Sequence, residues 1–398
     1  MLELRVKVHE SQQEIALIEN GNLVEYYQEK EELDRKEGNI YLGVIKDIVP
    51  GMQSAFVDIG TEKNSFIHLK DILPKVDETV TKIDENVKIT DVVKPNQKVL
   101  VQVKKDSNEK KGARVSTHIN LPSKYIVLMP NSDIVTISQK IDNPEEQKRL
   151  IELVKNNLSK ENGAVIRTSA VNKEKEIIDD IKRLEKRWNQ ILQKSKELEN
   201  KNKPVMVYQS ETIVEKMLID LSEKSVEKII VNDKKEQEKI EKFRQENAEL
   251  ISCKIEYEGE EDLFLAYDVN KQIEKMKNRK IWLKCGGFIT IDPTEALTAI
   301  DVNTGKYTGT KNLEQTIYKV NEEATIEIAK QLRLRDIGGI IIIDYIDMKK
   351  EENKLKIQNL LLEKLKKDRS KTQVEGFTKL DLMELTRKHI CSHNEENS

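Results

Sequence analysis

Cysteine is scarce in this sequence. The 398 residues include 3 cysteines, Cys253, Cys285 and Cys391, which lie far apart in the chain. An odd number of distant cysteines argues against a disulfide framework, so a reducing cytoplasm is the compartment we expect. The sequence also lacks a histidine–cysteine cluster with zinc spacing, a phosphate-binding P-loop and a nucleophile elbow.

Long apolar runs are missing as well. Hydrophobic residues make up 37% of the chain and charged residues 35%, and no stretch approaches the roughly 20 apolar residues of a transmembrane helix. The N-terminus, "MLELRVKVHE", lacks the basic-then-apolar layout of a signal peptide. The sequence therefore predicts no membrane span.

A strong net charge is the third absence. The formal net charge is −3, whereas a protein that simply coats RNA is usually strongly basic. If this chain binds nucleic acid, its basic residues must be clustered locally, or binding must use stacking and a metal ion.

The length predicts about two to four domains. Residues 1–35 contain short β-type runs that cannot bury a core alone, so we expect them to join strands from later in the chain. Several short strands in residues 36–125, interrupted by a polar stretch from Pro74 to Thr90, predict a small β-barrel. Helical periodicity predicts a long helix with an apolar stripe from Ile177 to Leu198 and another over 312–335.

Two strands near the C-terminal third end in a carboxylate. "GGFITID" and "EALTAIDVN" predict a hairpin that delivers Asp301, and the apolar run Ile340–Ile343, which indicates a fully buried strand, ends at Asp344. Neighbouring strands would bring the two carboxylates together at one edge of a sheet. Asn303 is two residues after Asp301, so it faces the same side of an extended strand.

Two interpretations of these residues stay open from the pattern alone. Asp and Asn are common turn residues at strand ends. Alternatively, the carboxylates hold a hard cation such as Mg²⁺, which takes one or two carboxylates and completes its shell with water and phosphate oxygens. Asp-x-Asn-x-Gly is also similar to a calcium loop, but the EF-hand glutamate and flanking helices are missing.

Longer motifs resemble a known family. "GGFITIDPTEALTAIDVNTG", "IAKQLRLRDIGGIIIIDYIDM" and "KKDRSK…LMELTRK" resemble the catalytic core of the ribonuclease E/G family, and "GNIYLGVIKDIVPGMQSAFVDIGTEKNSFIHLKDI" resembles its S1-type OB-fold. The resemblance spans residues 1 to about 390 and is weakest from 195 to 280.

The resemblance implies an α+β multidomain fold. An RNase H-like subdomain would combine residues 1–35 with 215–280, and an S1-type OB-fold RNA-binding barrel would occupy 36–125. A 5′-sensor region would follow at 126–214, and a DNase I-like catalytic subdomain at 281–398.

The resemblance also implies a function. The protein would be a Mg²⁺-dependent endoribonuclease, with Mn²⁺ as a substitute, that cleaves A/U-rich single-stranded RNA in ribosomal RNA processing and messenger decay. Asp301 and Asp344 match the family's metal-binding aspartates, and Asn303 matches their catalytic partner. The products would carry 5′-phosphate and 3′-hydroxyl ends. The alternative is a catalytically inactive RNA-binding or scaffold member of the same family.

Two further sets of residues match family binding sites. Phe56 and Phe66 match aromatics that the S1-type domain presents to RNA, with Lys111 as the basic residue beside them. From the sequence alone, "AFV" and "SFI" in strands favour barrel-core positions instead.

A 5′-monophosphate sensor is the second such set. Arg167 and Thr168 match the family's phosphate pocket, and Val127 matches the residue that contacts the terminal base. Ser123 stands where the family usually has glycine, and Lys371 stands where some members have arginine, which keeps the charge but not the planar fork.

The C-terminal sequence differs from the family pattern. Family members continue past "TRK" to a Cys-x-x-Cys pair that links two chains through zinc, whereas here Cys391 is followed by His393 in a polar tail. Ordering such a tail costs about 1–2 kcal/mol per residue. We therefore expect no zinc and a monomer or weak homodimer; the resemblance also allows for degradosome-type protein partners.

Overall fold

The computed structural model of the chain describes residues 1–10, 12–30, 36–72, 87–107, 111–138, 140–200, 203–221, 226–247, 251–259, 262–305 and 313–391. Much of the polar stretch from Pro74 to Thr90 lies outside these ranges. The chain divides into two compact units, residues 1–32 with 213–398 and residues 33–212. None of the described helices is long and apolar enough to cross a membrane.

The described strands, in chain order, are β1 Leu2–His9, β2 Gln12–Glu19, β3 Asn22–Lys30, β4 Ile40–Val49, β5 Ser54–Asp58, β6 Ser65–His68, β7 Lys98–Lys105, β8 Arg114–Ser116, β9 Leu121–Pro122, β10 Ile126–Pro130, β11 Val135–Ile137, β12 Asn162–Ile166, β13 Val205–Tyr208, β14 Lys228–Val231, β15 Lys254–Tyr257, β16 Lys280–Trp282, β17 Phe288–Pro293, β18 Thr298–Asn303, β19 Gly339–Asp344, β20 Thr372–Phe377 and β21 Leu382–Arg387. The described helices are α1 Ile89–Val92, α2 Pro144–Asn157, α3 Glu174–Leu198, α4 Ile213–Leu221, α5 Lys234–Glu246, α6 Val269–Met276, α7 Leu313–Leu334 and α8 Glu351–Leu365.

In the first unit, the N-terminal strands find partners far along the chain. β1 pairs antiparallel with β2 and parallel with β14, and the sheet runs β15-β14-β1-β2-β3. Leu4 and Val6 of β1 are fully buried in a core that includes Met217 of α4 and Phe243 of α5. Because three strands cannot bury a core by themselves, this pairing stabilises the N-terminal segment.

The second sheet of this unit carries both aspartates. Its order is β16-β17-β18-β19-β21-β20, and β17 and β18 form the predicted hairpin, with Pro293 opposite Thr298. β18 and β19 are parallel, which requires a crossover connection, and α7 supplies it. Val320 and Ile328 of α7 lie in the same buried core as Ile343 of β19, and α7 packs on β17 and β18, so the helix covers one face of the sheet.

The prediction that Ile340–Ile343 is a fully buried strand was wrong. Ile341 and Ile343 are fully buried, but Ile340 is 51% exposed and Ile342 is half-buried. The apolar run crosses a sheet that the core covers on one face, so alternate isoleucines point away from the core.

In the second unit, β4, β5, β6, β8 and β7 pair in that order, and β7 pairs back with β4. This closure forms the small barrel that the sequence predicts, and β13 pairs with β4 beside it. Val57, Ile67, Val101 and Val115 lie in the barrel core. Closing the barrel leaves these strands without free edges.

A separate sheet follows the barrel in the second unit. Its order is β11-β12-β10-β9, and α3 packs on it as the predicted long helix. Ile177, Ile181, Leu184 and Trp188 form the buried stripe of α3, as the helical period requires.

Candidate functional site

Asp301 and Asp344 lie side by side. Both residues are exposed, and they are direct register partners on the parallel strands β18 and β19. Adjacent strands lie about 4.8 Å apart, and paired residues point to the same face. The α7 crossover therefore places two carboxylates next to each other on the face of the sheet that the helix leaves open.

The electrostatics of this pair favour a cation. Partial burial raises the pKa of Asp344, and the negative charges of Asp301 and Asp347 raise it further. Asn303 donates a hydrogen bond from its carboxamide to the Asp301 carboxylate. A positive ion between the carboxylates would offset their repulsion, which the neutral Asn303 amide cannot do.

Helix α7 fixes the segment that follows Asp344. Asn321 is fully buried; its side-chain nitrogen donates to the Ile346 carbonyl at 2.8 Å, and its side-chain oxygen accepts from the Ile346 N–H at 3.1 Å. The Thr325 hydroxyl lies 2.9 Å from the Tyr345 hydroxyl. These contacts hold the backbone just past Asp344, and sequence reasoning missed them because Asn321 reads as one polar position in an amphipathic helix.

The number of carboxylates at this site suits a hard cation that retains bound water molecules as ligands. Among the described residues, no group of three or more histidine, cysteine, aspartate or glutamate side chains is placed to hold a metal ion. A site based on Asp301 and Asp344 would therefore depend on water and phosphate oxygens for its remaining ligands, as Mg²⁺ sites commonly do.

Phe56 and Phe66 lie outside the barrel core. They are register partners on β5 and β6, with ring centroids 6.2 Å apart in an edge-to-face arrangement. Phe56 is 37% exposed, whereas its neighbours Ala55 and Val57 are fully buried. The side-chain alternation of β5 thus turns the aromatic pair outward, against the core interpretation that the sequence alone favours.

Basic residues lie near the aromatic pair. Lys111 is exposed at the approach to β8, and Arg114 of β8 is the parallel register partner of Phe66. Arg114 pairs with Asp71 at 2.9 Å and lines a cleft of about 350 Å³ together with Lys104, Lys105 and His118. Sequence reasoning missed Arg114, because its position beside Phe66 depends on a pairing between distant strands.

Three of the predicted sensor residues, Arg167, Thr168 and Val127, lie in the second unit. Arg167 follows β12 and Thr168 is exposed, with its hydroxyl 3.1 Å from that of Ser138. Val127 of β10 is half-exposed and is the register partner of Val165 on β12. A cleft of 380 Å³ opens beside Thr168.

Ser123 and Lys371 have other surroundings. Ser123 is 3% exposed, and its hydroxyl donates to the Asp180 carboxylate at 2.6 Å, while its carbonyl accepts from the Arg167 guanidinium at 2.6 Å. The Ser123 side chain is therefore used internally, and its backbone orients Arg167. Lys371 is exposed in the first unit, immediately before β20.

Comparisons with known proteins identify the family. The model of the ribonuclease E/G family matches residues 120–390, and that of the S1 RNA-binding domain matches residues 34–118. Ribonuclease G of Escherichia coli (strain K12) is 38% identical over 97% of this chain and 79% of its own length. Ribonuclease G of Haemophilus influenzae is 39% identical over 97% of the chain and 79% of its length. The chain belongs to the ribonuclease E/G family.

As a member of the ribonuclease E/G family, the chain is an endoribonuclease, and it contains an S1 domain. The predicted family resemblance is confirmed, and the inactive scaffold alternative is not favoured. Ribonuclease E of Escherichia coli (strain K12) is 33% identical over 99% of this chain but 38% of its own length. The barrel formed by β4 to β8 lies within the S1 match.

The C-terminal cysteine of this ribonuclease E/G member belongs to the core. Cys391 is 4% exposed, and its N–H donates to Asp336 at 2.8 Å. His393 lies outside the described residues, so the expectation that this tail binds no zinc stays a prediction.

Proposed function

We propose that this protein cleaves single-stranded RNA by Mg²⁺-dependent hydrolysis, with Asp301 and Asp344 holding the metal and Asn303 assisting. The observation that carries the proposal is the parallel register that sets the two exposed carboxylates side by side. Mn²⁺ would serve as a substitute, because oxygen ligands suit both ions.

Each residue has a chemical role. When bound, a divalent cation supplies the positive charge that stabilises the phosphate transition state and lowers the pKa of water. Asp301 and Asp344 would hold that charge at the scissile phosphate, and Asn303 would orient Asp301 and a phosphate oxygen through its amide. Water attacks phosphorus, the bond to the 3′ oxygen breaks, and that oxygen takes up a proton. The products carry a 5′-phosphate and a 3′-hydroxyl.

The decisive test replaces each carboxylate without changing its shape. Asp301→Asn and Asp344→Asn should abolish cleavage of an A/U-rich oligonucleotide in Mg²⁺, while binding measured by fluorescence anisotropy persists. Asp292→Asn is the matched control, since Asp292 lies on the same sheet face and pairs with Arg279 instead of a second carboxylate. Cleavage by either site variant at the wild-type rate would refute the assignment.

The S1 barrel would supply binding. The outward Phe56–Phe66 pair offers ring surface for base stacking, worth about 1–3 kcal/mol per base, with little sequence preference. Lys111 would contact backbone phosphate, and the basic cleft at Arg114 would extend the path of the strand.

A 5′-monophosphate sensor is the third part of the proposal. Arg167 carries several donors for phosphate oxygens, and the Ser123 carbonyl holds one of them in place. The exposed Thr168 hydroxyl would add a further donor and Val127 an apolar contact for the terminal base. In this scheme Ser123 acts through its backbone only.

The finer architecture is also a proposal. Pairing of β1 with β14 supports an RNase H-like subdomain of residues 1–35 with 215–280, and the sheet that carries both aspartates supports a DNase I-like subdomain at 281–398. A sensor region at 126–214 would follow the barrel. We place the protein in the cytoplasm, acting on ribosomal precursors and messengers as a monomer or weak homodimer, with degradosome-type partners.

A further inference from the structure

An exposed aromatic and lysine cluster lies on the same sheet as the carboxylates. Trp282 is 56% exposed, and its ring centroid is 5.3 Å from that of Phe288, in an edge-to-face arrangement. The Lys280 ammonium lies 4.3 Å from the Trp282 centroid and 3.5 Å from the Phe288 centroid. A large exposed indole beside a cation is a surface suited to a ligand with a flat ring and a negative charge.

The strand register places this cluster next to the proposed site. Phe288 of β17 is paired with Asn303 of β18 and with Trp282 of β16. Paired residues point to the same face, so the two rings and Asn303 form one row across three strands. A parallel row runs from Lys280 through Thr290 to Asp301 and then to Asp344.

The spacing between cluster and carboxylates matches a nucleic-acid strand. Trp282 lies two strand spacings from Asn303, about 10 Å. That distance is about three nucleotide steps of a stacked strand. A strand whose scissile phosphate lies at Asp301 and Asp344 would therefore bring a base within three nucleotides of that phosphate over the indole.

We propose that Trp282, supported by Phe288 and Lys280, is a stacking platform for one base of single-stranded RNA near the scissile phosphate. The Lys280 side chain is flexible. When a base stacks on the indole, the Lys280 ammonium would leave the aromatic rings and contact a backbone phosphate instead. The platform positions the substrate and rests on the proposed function, since it takes the Asp301–Asp344 pair as the point of cleavage.

Another aromatic–lysine pair provides a matched control. Tyr257 is 40% exposed, and the Lys234 ammonium lies 5.6 Å from its ring centroid. Tyr257 belongs to β15, in the sheet with the order β15-β14-β1-β2-β3, and Lys234 is the first residue of α5, so neither lies on the carboxylate sheet. Tyr257→Leu therefore removes a similar exposed ring without touching the row that contains Asn303.

The experiment combines protein variants with abasic substrates. Wild type, Trp282→Leu, Trp282→Phe and Tyr257→Leu are each given a single-site oligonucleotide, intact or with one abasic nucleotide at each of the three positions on either side of the cleavage site. In wild type, kcat/KM should fall by about fivefold or more at one or two adjacent positions. In Trp282→Leu, the intact substrate should already show that loss, and the same abasic positions should cause no further loss.

The remaining variants fix the interpretation. Trp282→Phe, which keeps an aromatic face, should recover part of the abasic effect, and Tyr257→Leu should behave as wild type. If each abasic nucleotide lowers kcat/KM in Trp282→Leu as much as it does in wild type, the stacking-platform proposal is wrong. If wild type fails to cleave the intact oligonucleotide in Mg²⁺, the proposed function fails instead, so the two failures are distinct.

A binding measurement provides an independent readout. The chain has 2 tryptophans, and Trp188 is 4% exposed. In the Asp344→Asn background, addition of the oligonucleotide should quench the Trp282 emission. Loss of quenching with the oligonucleotide that is abasic at the sensitive position supports stacking, and unchanged quenching contradicts it.

Discussion

The barrel and the carboxylate sheet both carry a cross-strand aromatic pair. The Phe56–Phe66 centroids are 6.2 Å apart and the Trp282–Phe288 centroids are 5.3 Å apart, both edge-to-face. The difference lies in the nearby carboxylates. Asp71 beside the barrel pair is neutralised by Arg114 at 2.9 Å, whereas Asp344 faces a second carboxylate across a parallel register.

This contrast separates binding from chemistry. A carboxylate paired with arginine has its charge offset within the protein, so it has little need of an external ion. Two carboxylates that face each other repel, and the raised pKa of Asp344 reflects that repulsion after partial burial. Under the proposed function, the barrel would hold RNA and the sheet would hold a cation against the RNA phosphate.

Removal of the metal ion should have the largest effect, and it should affect the carboxylate sheet without affecting the barrel. Chelation with EDTA should abolish cleavage, because the charge that a metal supplies is worth several kcal/mol, or about 10³-fold in rate. RNA binding through the barrel should remain, and added Mg²⁺ or Mn²⁺ should restore turnover. Cleavage that persists in EDTA would show that the facing carboxylates do not work through a cation.

The second prediction concerns the stability of the first unit, not the binding of a metal ion. Glu25 is fully buried and accepts from Arg369 and Arg333, each at 2.7 Å. Arg369→Met should destabilise the first unit by about 3 kcal/mol, because it leaves a buried carboxylate partly unpaired. Thermal and urea unfolding would measure this change. The exposed Arg279→Met is the control and should leave the melting temperature nearly unchanged.

The same network predicts an acid-sensitive fold. Burial alone would raise the pKa of Glu25, but Arg369 and Arg333 outweigh it and hold the pKa at about 2, below the ordinary 4.5. The stabilisation is complete above the ordinary value and is lost as the pH falls towards the folded value. Urea titrations between about pH 5 and pH 2 should show a smaller stability decrease in Glu25→Gln than in wild type.

Removal of the barrel aromatic should have a smaller, purely binding effect. Phe56→Ala should weaken binding of single-stranded RNA by about fivefold to about 150-fold, as stacking energies predict. KM should rise while kcat is preserved, and the melting temperature should change little, since Phe56 is 37% exposed. Met52→Ala, at an exposed turn of the same barrel, serves as the control. A large drop in melting temperature would show instead that Phe56 is part of the barrel core.

The smallest expected effect concerns the RNA end. Wild type should cleave 5′-monophosphate RNA faster than 5′-hydroxyl RNA by about tenfold, from one hydrogen bond to a charged group. Arg167→Gln should lose this preference and leave the 5′-hydroxyl rate unchanged. Equal cleavage rates for 5′-monophosphate and 5′-hydroxyl RNA in wild type would contradict the proposed sensor.

The sequence by itself determined the local elements and the residue types at the site. The helical period gave the buried stripe of α3, and apolar runs with turn residues gave the β17–β18 hairpin. A strand repeat of two residues was enough to place Asn303 on the face of Asp301. These features depend on neighbours within one turn or one strand, which a sequence pattern records directly.

The tertiary structure decided which distant residues meet. The Asp301–Asp344 register, the Asn321 clamp on Ile346 and the row from Trp282 to Asn303 each depend on pairing between separate elements. The half-exposed face of β19 depends on which side the helices cover. Hydrophobic periodicity shows that a face is apolar or polar, but pairing and packing against the rest of the chain fix what lies opposite it, and so where the chemistry can occur.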